Sequence, residues 1–438
     1  MEQLLNKGDF SCSCGKTHKI ATKKVIIQSG AIKKLPDLLK EVGCARPFLL
    51  SGKDTFRAAG EQVCVALKNA GISFSQYVFP HSPVLPTEQA VGSAVMHFDT
   101  NCDCVVGIGS GVINDIGKLL AHTAGKPYLV VATAPSMDGY ASGTSSMEQD
   151  GLKVSLNSTC AWGIIGDLDI LCKAPMNMLY AGLGDMIAKY VSLCEWKIGN
   201  LLSGEYYCPA IAALVETALQ RCIAAGEGLV KREPQAVKAV MEGMVLTGLA
   251  MNYTGVSRPA SGMEHYFSHI WDMRGLAFGT KTDLHGIQCG IATLVSLKVY
   301  EHIKTLKPNG EKALSYVNDF NLQDWNRQLR AFIGAGAEAM IAGEEKEGKY
   351  DREKHAKRLP VIIDKWEEIL AEIGKMPTYG ELYSFMKDIG APTETEVLAV
   401  TQDEVKTTFA MTKDIRDKYI ASRLLWDLGE LETVAQYL

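Results

Sequence analysis

The sequence contains no long, uninterrupted apolar run of the kind that crosses a membrane, and residues 1–20 are polar, without the apolar segment of a secretory signal. It also has no large excess of charge of one sign, because the net charge is only -5 over 438 residues. We therefore expect neither a nucleic acid nor a membrane surface as a partner. The sequence shows no internal repeat and no low-complexity segment. These absences indicate a globular protein, for which a cytoplasmic location is the default expectation.

The twelve cysteines are scattered along the chain, and several fall inside apolar runs. We expect them to be reduced, buried thiols. Near the start of the chain, Cys12, Cys14 and His18 are residue types that bind metals. A structural zinc site needs four ligands, however, and only three candidates occur there. Two interpretations of this segment therefore remain open: a metal site, or a polar opening segment with a tight turn at Gly15.

A glycine-rich turn between a strand and a helix is the most informative feature. Residues 107–115 read GIGSGVIND, after an apolar run at 104–106 and before a helical pattern at 116–123. Such a turn directs backbone N–H groups at a phosphate from a helix N-terminus, and glycine permits the close approach. A second loop, TAPSMDG at 133–139, follows the apolar run at 128–131. Together the two loops indicate a dinucleotide site.

The turn departs from the usual dinucleotide fingerprint. That fingerprint is G-x-G-x-x-G with an acidic residue about 20 positions later, whereas this turn reads G-x-G-S-G and Pro127 stands where the acidic residue is expected. A tight strand-to-helix connection without a ligand is therefore an open alternative.

Strand and helix patterns alternate up to about residue 170, which predicts a parallel sheet covered by helices on both faces. Beyond Pro175 helical periodicity dominates. We therefore predict a Rossmann-like α/β dinucleotide-binding domain at 1–170 and an all-α domain at 171–438. The other predicted elements are strands at 24–28, 47–51, 73–79 and 162–167, a hairpin at 142–159, helices at 87–98, 179–197, 211–225, 234–253, 289–303, 352–373, 405–412 and 419–428, and a solvated charged stretch at 343–357.

Asp54 follows the predicted strand at 47–51. Ligands of parallel sheets bind at the carboxyl ends of strands, where a carboxylate can accept hydrogen bonds from both hydroxyls of an adenosine ribose. Its neighbour Lys53 is compatible with a 2′-phosphate, so the choice between NAD and NADP stays open. A helix cap is the alternative role for Asp54.

A possible metal-ligand set lies in the second part of the chain. Asp185 follows a Gly-Leu-Gly sequence, His265 and His269 are spaced i, i+4, and His285 precedes Gly286. One carboxylate and two imidazoles suit a borderline divalent ion that polarises a carbonyl. The alternatives are core histidines and an aspartate that caps a helix.

These motifs together resemble the sn-glycerol-1-phosphate dehydrogenases, in the superfamily of iron-type alcohol dehydrogenases, glycerol dehydrogenases and dehydroquinate synthases. The resemblance rests on residues 107–115, 133–139, 182–185, 257–269 and 285–286 and extends over most of residues 20 to 430. The sequence of residues 134–139, APSMDG, most resembles the bacterial branch of this family. Members of that branch are similar to a nickel-dependent homodimeric enzyme, whereas archaeal relatives are described with zinc. The resemblance implies a dehydroquinate synthase-like fold whose helical domain, 171–438, binds metal and substrate.

The resemblance also implies a role for each matching residue. The adenosine ribose would lie on Asp54, and the metal would be bound by Asp185, His265 and His285. Asp138 and His269 would be the catalytic residues and would contact the substrate together with Asp185. The residues around the pyrophosphate would be Gly111, Val112, Ile113, Asn114 and Asp115, and those around the nicotinamide would be Thr133, Ala134, Pro135, Ser136 and Ser142.

One position departs from the iron-type alcohol dehydrogenases, which are known for a fourth ligand, a histidine one turn after the aspartate. Lys189 stands there and suits a three-ligand site. Lys189 would add positive charge for a phosphate, or else pair with a carboxylate; Arg258 and Lys281 are other candidate cations.

The expected function is the NAD(P)-dependent reduction of dihydroxyacetone phosphate to sn-glycerol 1-phosphate with one divalent ion, nickel or zinc, in a homodimer. Two alternative enzymes are a glycerol or polyol dehydrogenase and a dehydroquinate synthase-like cyclase. A binding protein without catalysis is the third alternative, and the intact metal-ligand set argues against it.

Overall fold

In the described part of the chain, ten β-strands form one large sheet and two small hairpins. The structure is a computed structural model that describes residues 8–438, so residues 1–7 of the predicted polar opening segment lie outside the described chain. The strands are β1 (Phe10–Ser11), β2 (Thr17–His18), β3 (Lys24–Gln28), β4 (Pro47–Gly52), β5 (Ser75–Phe79), β6 (Cys104–Gly109), β7 (Tyr128–Ala132), β8 (Thr144–Gln149), β9 (Leu152–Asn157) and β10 (Gly163–Asp167).

The large sheet has six strands in the order β3-β10-β7-β6-β4-β5, and every neighbouring pair is parallel. All residues of β4, β6, β7 and β10 are buried, because helices cover both faces of the sheet. On one face Val106 and Val131 pack with Leu38, Val63 and Leu67 of the covering helices. The predicted parallel α/β fold is confirmed.

The α-helices occupy most of the remaining chain. Thr87 caps the helix that begins at Glu88, since its side chain accepts a hydrogen bond from the Ala90 N–H at 3.2 Å. The helices are α1 (Leu35–Val42), α2 (Lys53–Thr55), α3 (Glu61–Asn69), α4 (Glu88–Met96), α5 (Gly111–Ala124), α6 (Leu168–Leu171), α7 (Met176–Ile187), α8 (Lys189–Ser203), α9 (Pro209–Ala224), α10 (Gly226–Val230), α11 (Pro234–Thr254), α12 (Met263–Phe278), α13 (His285–Ile303), α14 (Gly310–Asp319), α15 (Leu322–Ile333), α16 (Ala337–Glu347), α17 (Arg352–Asp364), α18 (Trp366–Ile373), α19 (Tyr379–Asp388), α20 (Gln402–Thr412), α21 (Ala421–Leu428) and α22 (Leu431–Ala435).

The chain divides into two compact units. The first comprises Met1–Met186 and Ala210–Ser257, and the second comprises Ile187–Pro209 and Arg258–Leu438. The first unit therefore contains the parallel sheet and also helices beyond residue 170, notably α11. In the second unit the described elements are helical. The functional division into a dinucleotide domain at 1–170 and a metal and substrate domain at 171–438 stays a prediction.

Several helices differ from the predicted limits. The predicted helix at 179–197 is broken at Ala188, and the one at 352–373 is broken at Lys365. The stretch at 343–357, predicted as solvated and charged, lies largely in α16 and α17, and Glu344 and His355 within it are buried. These helices were not predicted because polar residues outnumber the few apolar residues that pack inward, so the apolar periodicity that indicates a helix is weak.

The expectation that all cysteines are reduced is wrong for one pair. Cys44 and Cys104 form a disulfide, with their Cα atoms 5.9 Å apart. Cys104 begins β6 and lies beside Pro47 of β4 in the sheet, so parallel pairing brings the two cysteines together across 60 residues of chain. Sequence spacing could not show that these two cysteines are neighbours.

Within residues 8–438, no helix is both long and apolar enough to cross a membrane.

Candidate active site

The carboxyl edge of the parallel sheet carries the segments predicted to bind the dinucleotide. β4, β6 and β7 are neighbours, and they are followed by Asp54, by the glycine turn at 109–111 and by the loop at 133–139. From β4 the chain continues to β5 on one side, whereas from β6 it continues to β7 on the other. Ligands of open α/β sheets bind outside the carboxyl ends of strands at such a reversal. The segments predicted to bind the nucleotide therefore lie at the point where the sheet topology reverses.

The glycine turn leads into the N-terminus of α5. Ser110 is the N-cap residue, and its side chain makes no capping hydrogen bond to the described part of the chain. The Asn114 N–H bonds to the Ser110 carbonyl at 2.9 Å. The amides of Gly111, Val112 and Ile113 have no partner within the helix, and with the helix dipole they stabilise a negatively charged group. The turn therefore fits a pyrophosphate.

The side chains of Asn114 and Asp115 bind protein groups near the nucleotide edge. Asn114 Nδ2 donates to the Gly139 carbonyl at 3.3 Å, and an Asp115 carboxylate oxygen accepts from the Ser146 N–H at 3.2 Å. Asn114 thus holds the end of the second loop, and Asp115 holds the strand β8 that follows it. Their direct contact with a pyrophosphate stays a prediction.

Lys118 is a residue of this region that sequence analysis missed. Its ammonium group is buried, lies 2.9 Å from the Asp115 carboxylate, and donates to the carbonyls of Gly139 and Thr144 and to Ser142 Oγ at 3.1, 2.5 and 3.2 Å. It joins α5 to the segment containing Ser142, a predicted nicotinamide residue. The available signal was a lysine within the apolar helical pattern, three residues after Asp115.

The loop at 133–139 is buried over most of its length. The Thr133 N–H donates to the Gly109 carbonyl at 3.2 Å, so the loop begins against the glycine turn. The Tyr140 hydroxyl donates to the Ala134 carbonyl at 2.6 Å. Thr133, Ala134, Pro135 and Ser136 are all buried, which gives this edge a defined shape. Their contact with a nicotinamide stays a prediction.

Two helical glycines let this loop approach the helices of the first unit closely. A Cβ on Gly182 of α7 would collide with the Pro135 carbonyl oxygen, and a Cβ on Gly248 of α11 would lie 2.7 Å from the Asp138 carbonyl oxygen. Because α7 comes this near, the Asp138 N–H donates to Asp185 Oδ2 at 3.0 Å. Asp185 is fully buried and Asp138 is half-buried. The structure thus brings together the two aspartates that were predicted to contact the substrate.

Asp54 is exposed in the short helix α2, directly after β4. The alternative that it caps a helix is wrong, because Gly52 is the N-cap residue and Asp54 lies in the first turn. Its carboxylate accepts a hydrogen bond from the Ser82 hydroxyl and lies 3.6 Å from Arg57 Nη1. The position suits a ribose, and that role stays a prediction.

The three predicted histidines lie on α12 and α13 in the second unit, whereas Asp185 lies in the first. The rings of His265 and His285 are 5.0 Å apart between centroids. His269 stands one turn beyond His265, and its ring centroid is 6.2 Å from that of His285. The structure therefore brings these three imidazoles together.

Each of the two predicted metal-binding histidines has its Nδ1 atom near a protein oxygen. His265 Nδ1 lies 2.7 Å from a Glu264 carboxylate oxygen, and His285 Nδ1 lies 3.0 Å from Ser268 Oγ. Gln288 Nε2 also donates to Ser268 Oγ at 3.2 Å and fixes that hydroxyl. The Glu264 carboxylate can only accept, so the proton of His265 is on Nδ1 and the lone pair is on Nε2, which is the atom that ligates a metal. The Ser268 hydroxyl either accepts from or donates to His285 Nδ1.

Cys289 is a second residue that sequence analysis missed, since it was taken as a buried thiol. One ligand atom from each of His265, His285 and Cys289 lies within 4.8 Å of the other two. Cys289 Sγ is 3.5 Å from His285 Nε2. The i, i+4 spacing of His285 and Cys289 on one helix was the available signal.

A buried carboxyl group supports the helix that carries His265. Glu195 accepts hydrogen bonds from the Met263 N–H and the Tyr300 hydroxyl, both at 2.8 Å. Burial, followed by the nearby Glu264 carboxylate, raises the pKa of Glu195 to about 7. Glu195 therefore changes its charge near neutral pH while holding the N-terminus of α12.

The three candidate cations have different surroundings. Arg258 is buried, and its guanidinium binds both carboxylate oxygens of Glu205 at 2.7 and 2.5 Å, so we do not assign it to a phosphate. Lys281 donates to a backbone carbonyl at 2.5 Å. Lys189 is buried and donates to a backbone carbonyl at 3.0 Å, and its proposed role near a phosphate stays a prediction.

Comparison with known proteins first defines the class. Residues 26–175 match the family model described as iron-containing alcohol dehydrogenase. The fold is similar to that of glycerol dehydrogenase from Schizosaccharomyces pombe, with a TM-score of 0.59 and 15% sequence identity over 95% of this chain and 90% of that one. The chain therefore has the fold of the iron-type alcohol dehydrogenases and dehydroquinate synthases, as predicted.

Sequence relatives define the family within that class. A glycerol-1-phosphate dehydrogenase (NAD(P)+) of Halalkalibacterium halodurans is 30% identical over 316 residues, which cover 70% of this chain and 79% of the relative. One from Bacillus licheniformis is 27% identical over 96% of this chain and 93% of the relative. The chain belongs to the glycerol-1-phosphate dehydrogenase family.

Proposed function

We propose that this protein catalyses the reversible, NAD(P)-dependent reduction of dihydroxyacetone phosphate to sn-glycerol 1-phosphate. Membership in the glycerol-1-phosphate dehydrogenase family carries the proposal. The parallel sheet and the imidazole cluster supply, within one chain, the two kinds of surface that this reaction needs. One surface suits a dinucleotide and the other suits a divalent ion.

The nucleotide lies along the carboxyl edge of the sheet in this proposal. The amides at the start of α5, from Gly111 to Ile113, bind the pyrophosphate, and Asp54 binds the ribose. Lys118 keeps the segment around Ser142 in place beside the nicotinamide. Because Lys53 beside Asp54 is exposed, both NAD and NADP fit the ribose position. When bound, the nicotinamide supplies the hydride.

We assign the metal to Asp185, His265 and His285. The donor set fits a borderline divalent ion, because the Nδ1 atoms of both imidazoles are held by Glu264 and Ser268. Three protein ligands leave a position for substrate, as catalytic sites require. When bound, the ion supplies a Lewis acid that polarises the substrate carbonyl. We propose nickel or zinc.

Three residues act on the substrate itself in this proposal. Asp138 and Asp185 orient its hydroxyl groups, and the hydrogen bond between the Asp138 N–H and Asp185 fixes their relative position. His269 holds a proton on its ring and delivers it to the oxygen that becomes the product hydroxyl, directly or through one water. Lys189 adds a buried positive charge for the phosphate. We further propose a cytoplasmic homodimer.

The test is NADH oxidation with dihydroxyacetone phosphate, measured after chelation and again after nickel, zinc or iron is added back, with free dihydroxyacetone alongside. We expect activity that disappears on chelation, returns with nickel or zinc, and requires the phosphate group. Turnover of free dihydroxyacetone alone would instead indicate a glycerol or polyol dehydrogenase. Bound metal without any NADH change would indicate a cyclase or a binding protein.

A further inference from the structure

The N-terminal hairpin of the first unit gathers three side chains that bind soft metals. β1 and β2 pair antiparallel. In the turn between them the Cys12 N–H donates to the Lys16 carbonyl and the Gly15 N–H to the Cys12 carbonyl, both at 3.0 Å. Gly15 has a φ of 84°, a conformation that favours glycine. One ligand atom from each of Cys12, Cys14 and His18 lies within 4.8 Å of the other two.

His18 is oriented as a metal-binding histidine is. Its side chain is fully buried. Nδ1 lies 2.8 Å from the Tyr253 carbonyl oxygen, which accepts a hydrogen bond only if Nδ1 carries the proton. The lone pair is then on Nε2, and Nε2 lies 3.5 Å from Cys14 Sγ. An imidazole whose other nitrogen donates to a backbone carbonyl is the usual arrangement around a bound metal.

The distance between the ligand atoms matches tetrahedral coordination. Zinc binds thiolate sulfur at about 2.3 Å and imidazole nitrogen at about 2.0–2.1 Å, so two such ligands at the tetrahedral angle are about 3.5 Å apart. The distance between Cys14 Sγ and His18 Nε2 is 3.5 Å. The hairpin thus holds sulfur and nitrogen at a separation that an ion can bridge without rearrangement.

Aromatic packing fixes the hairpin on the end of α11. The ring of Phe10 lies 5.0 Å from that of His18 and 5.5 Å from that of Tyr253. His18 and Tyr253 are 5.8 Å apart between ring centroids. The imidazole that supplies the nitrogen ligand is therefore positioned by contacts within the first unit.

We propose that Cys12, Cys14 and His18 bind a structural zinc ion that is separate from the metal of the active site. Two thiolates and one imidazole select zinc over the harder divalent ions. The ion closes the hairpin around His18, whose Nδ1 donates to Tyr253 at the end of α11, the helix that also contacts the loop of Asp138 through Gly248. The fourth position of the tetrahedron is taken by water or by one more side chain. The proposal does not depend on the dehydrogenase function.

The first test is the zinc content of the purified full chain by elemental analysis. We expect Cys14→Ser and His18→Gln each to lose one zinc ion per chain relative to wild type. Cys172→Ser is the matched control, because Cys172 is also a partly buried free cysteine of the first unit, and it should keep the wild-type content. Equal zinc contents in all three variants would overturn the proposal.

A second measurement covers the case in which the hairpin variants fail to fold. X-ray absorption at the zinc edge is recorded on the Cys289→Ser variant, in which the imidazole cluster has no thiolate to offer. We expect zinc–sulfur scattering at about 2.3 Å with at least two sulfur neighbours for one ion. A third sulfur neighbour would mean that another cysteine completes the tetrahedron. Scattering from nitrogen and oxygen alone would overturn the proposal.

Discussion

Lys118 shows how one buried charge can shape the nucleotide edge. Its ammonium group is fully buried, pairs with Asp115 and donates to Gly139 and Ser142. A buried cation is tolerated only when such partners replace its water shell. Because these partners come from α5, from the end of the second loop and from the segment after it, the lysine fixes the distance between the helix and that loop.

We predict that Lys118→Met weakens cofactor binding and stability together. Methionine keeps most of the side-chain volume but leaves the Asp115 carboxylate without its cation, and breaking a buried pair costs about 3–5 kcal/mol. The KM for NADH should therefore rise, and the midpoint of urea unfolding should fall. Lys68→Met is the control, because Lys68 is an exposed lysine on α3 of the same unit, and it should change neither quantity. A wild-type KM in Lys118→Met would contradict the assigned role.

Glu195 makes stability depend on pH near neutrality. Its pKa rises from the ordinary value of 4.5 to about 7 in the folded chain. The folded state therefore binds more protons than the unfolded state between these values. The contribution of this group is fully present below pH 4.5 and is lost as the pH rises through 7.

We predict that Glu195→Gln flattens this part of the stability profile, because glutamine does not titrate. The difference in unfolding free energy between wild type and variant should shift by up to about 3 kcal/mol against the wild type between pH 4.5 and pH 8. Urea unfolding of both proteins at matched metal content over this range measures it. Parallel profiles for the two proteins would show that folding leaves the pKa of Glu195 at its ordinary value and would contradict this prediction.

At the scale of elements, the close approach of α7 to the loop at 133–139 decides where the substrate carboxylates lie. Gly182 allows that approach, because a Cβ there would collide with the Pro135 carbonyl oxygen. The new Cβ would meet a backbone oxygen, so no flexible side chain could rotate away to relieve the collision. The helix and the loop can therefore only move apart when the glycine is replaced.

We predict that Gly182→Ala separates α7 from the loop and breaks the hydrogen bond between the Asp138 N–H and Asp185. Stability should fall by about 1–3 kcal/mol, as in other overpacked cores, and kcat should fall with it. Gly92→Ala is the control: Gly92 lies within α4 with no atom of the described chain within 4 Å of a new Cβ. The control should be neutral or more stable, by about 0.5–1 kcal/mol. Equal kcat values in the two variants would contradict the argument.

The elements with one-sided or continuous apolar patterns were predictable from sequence. β4 and β6 are buried throughout and almost wholly apolar, with Ser51 as the one polar residue of the two, and such continuous runs predict strands. The helix predicted at 87–98 was found for a related reason, because Thr87 before the helical pattern has a specific capping hydrogen bond to make. The glycine turn was found for the same kind of reason, since its position between strand and helix is local in the sequence.

The remaining features depend on contacts between distant residues. α12 is buried on most sides of its first half, so it lacks the one-sided apolar pattern that marks a helix. The role of Lys118 depends on Gly139 and Ser142, and the disulfide depends on the pairing of β4 with β6. Sequence patterns report local periodicity and therefore could not predict these partners.

At the scale of the whole molecule, the chain supplies two different chemistries in two compact units. The first unit has a sheet edge with a helix N-terminus that suits a dinucleotide. The second has imidazoles whose Nδ1 atoms are held by neighbouring oxygen atoms, which suits a metal. Neither property alone distinguishes a glycerol-1-phosphate dehydrogenase from other members of the class. The family membership makes that distinction, and the product must confirm it.

The most direct test is the configuration of the glycerol phosphate made from dihydroxyacetone phosphate and NADH. The metal-loaded full chain is allowed to consume NADH, and the product is then offered to an enzyme that oxidises only sn-glycerol 3-phosphate. We predict that NADH is consumed and that the product resists this enzyme, because it is sn-glycerol 1-phosphate. A product that is fully oxidised, or the absence of any glycerol phosphate, would contradict the proposed function.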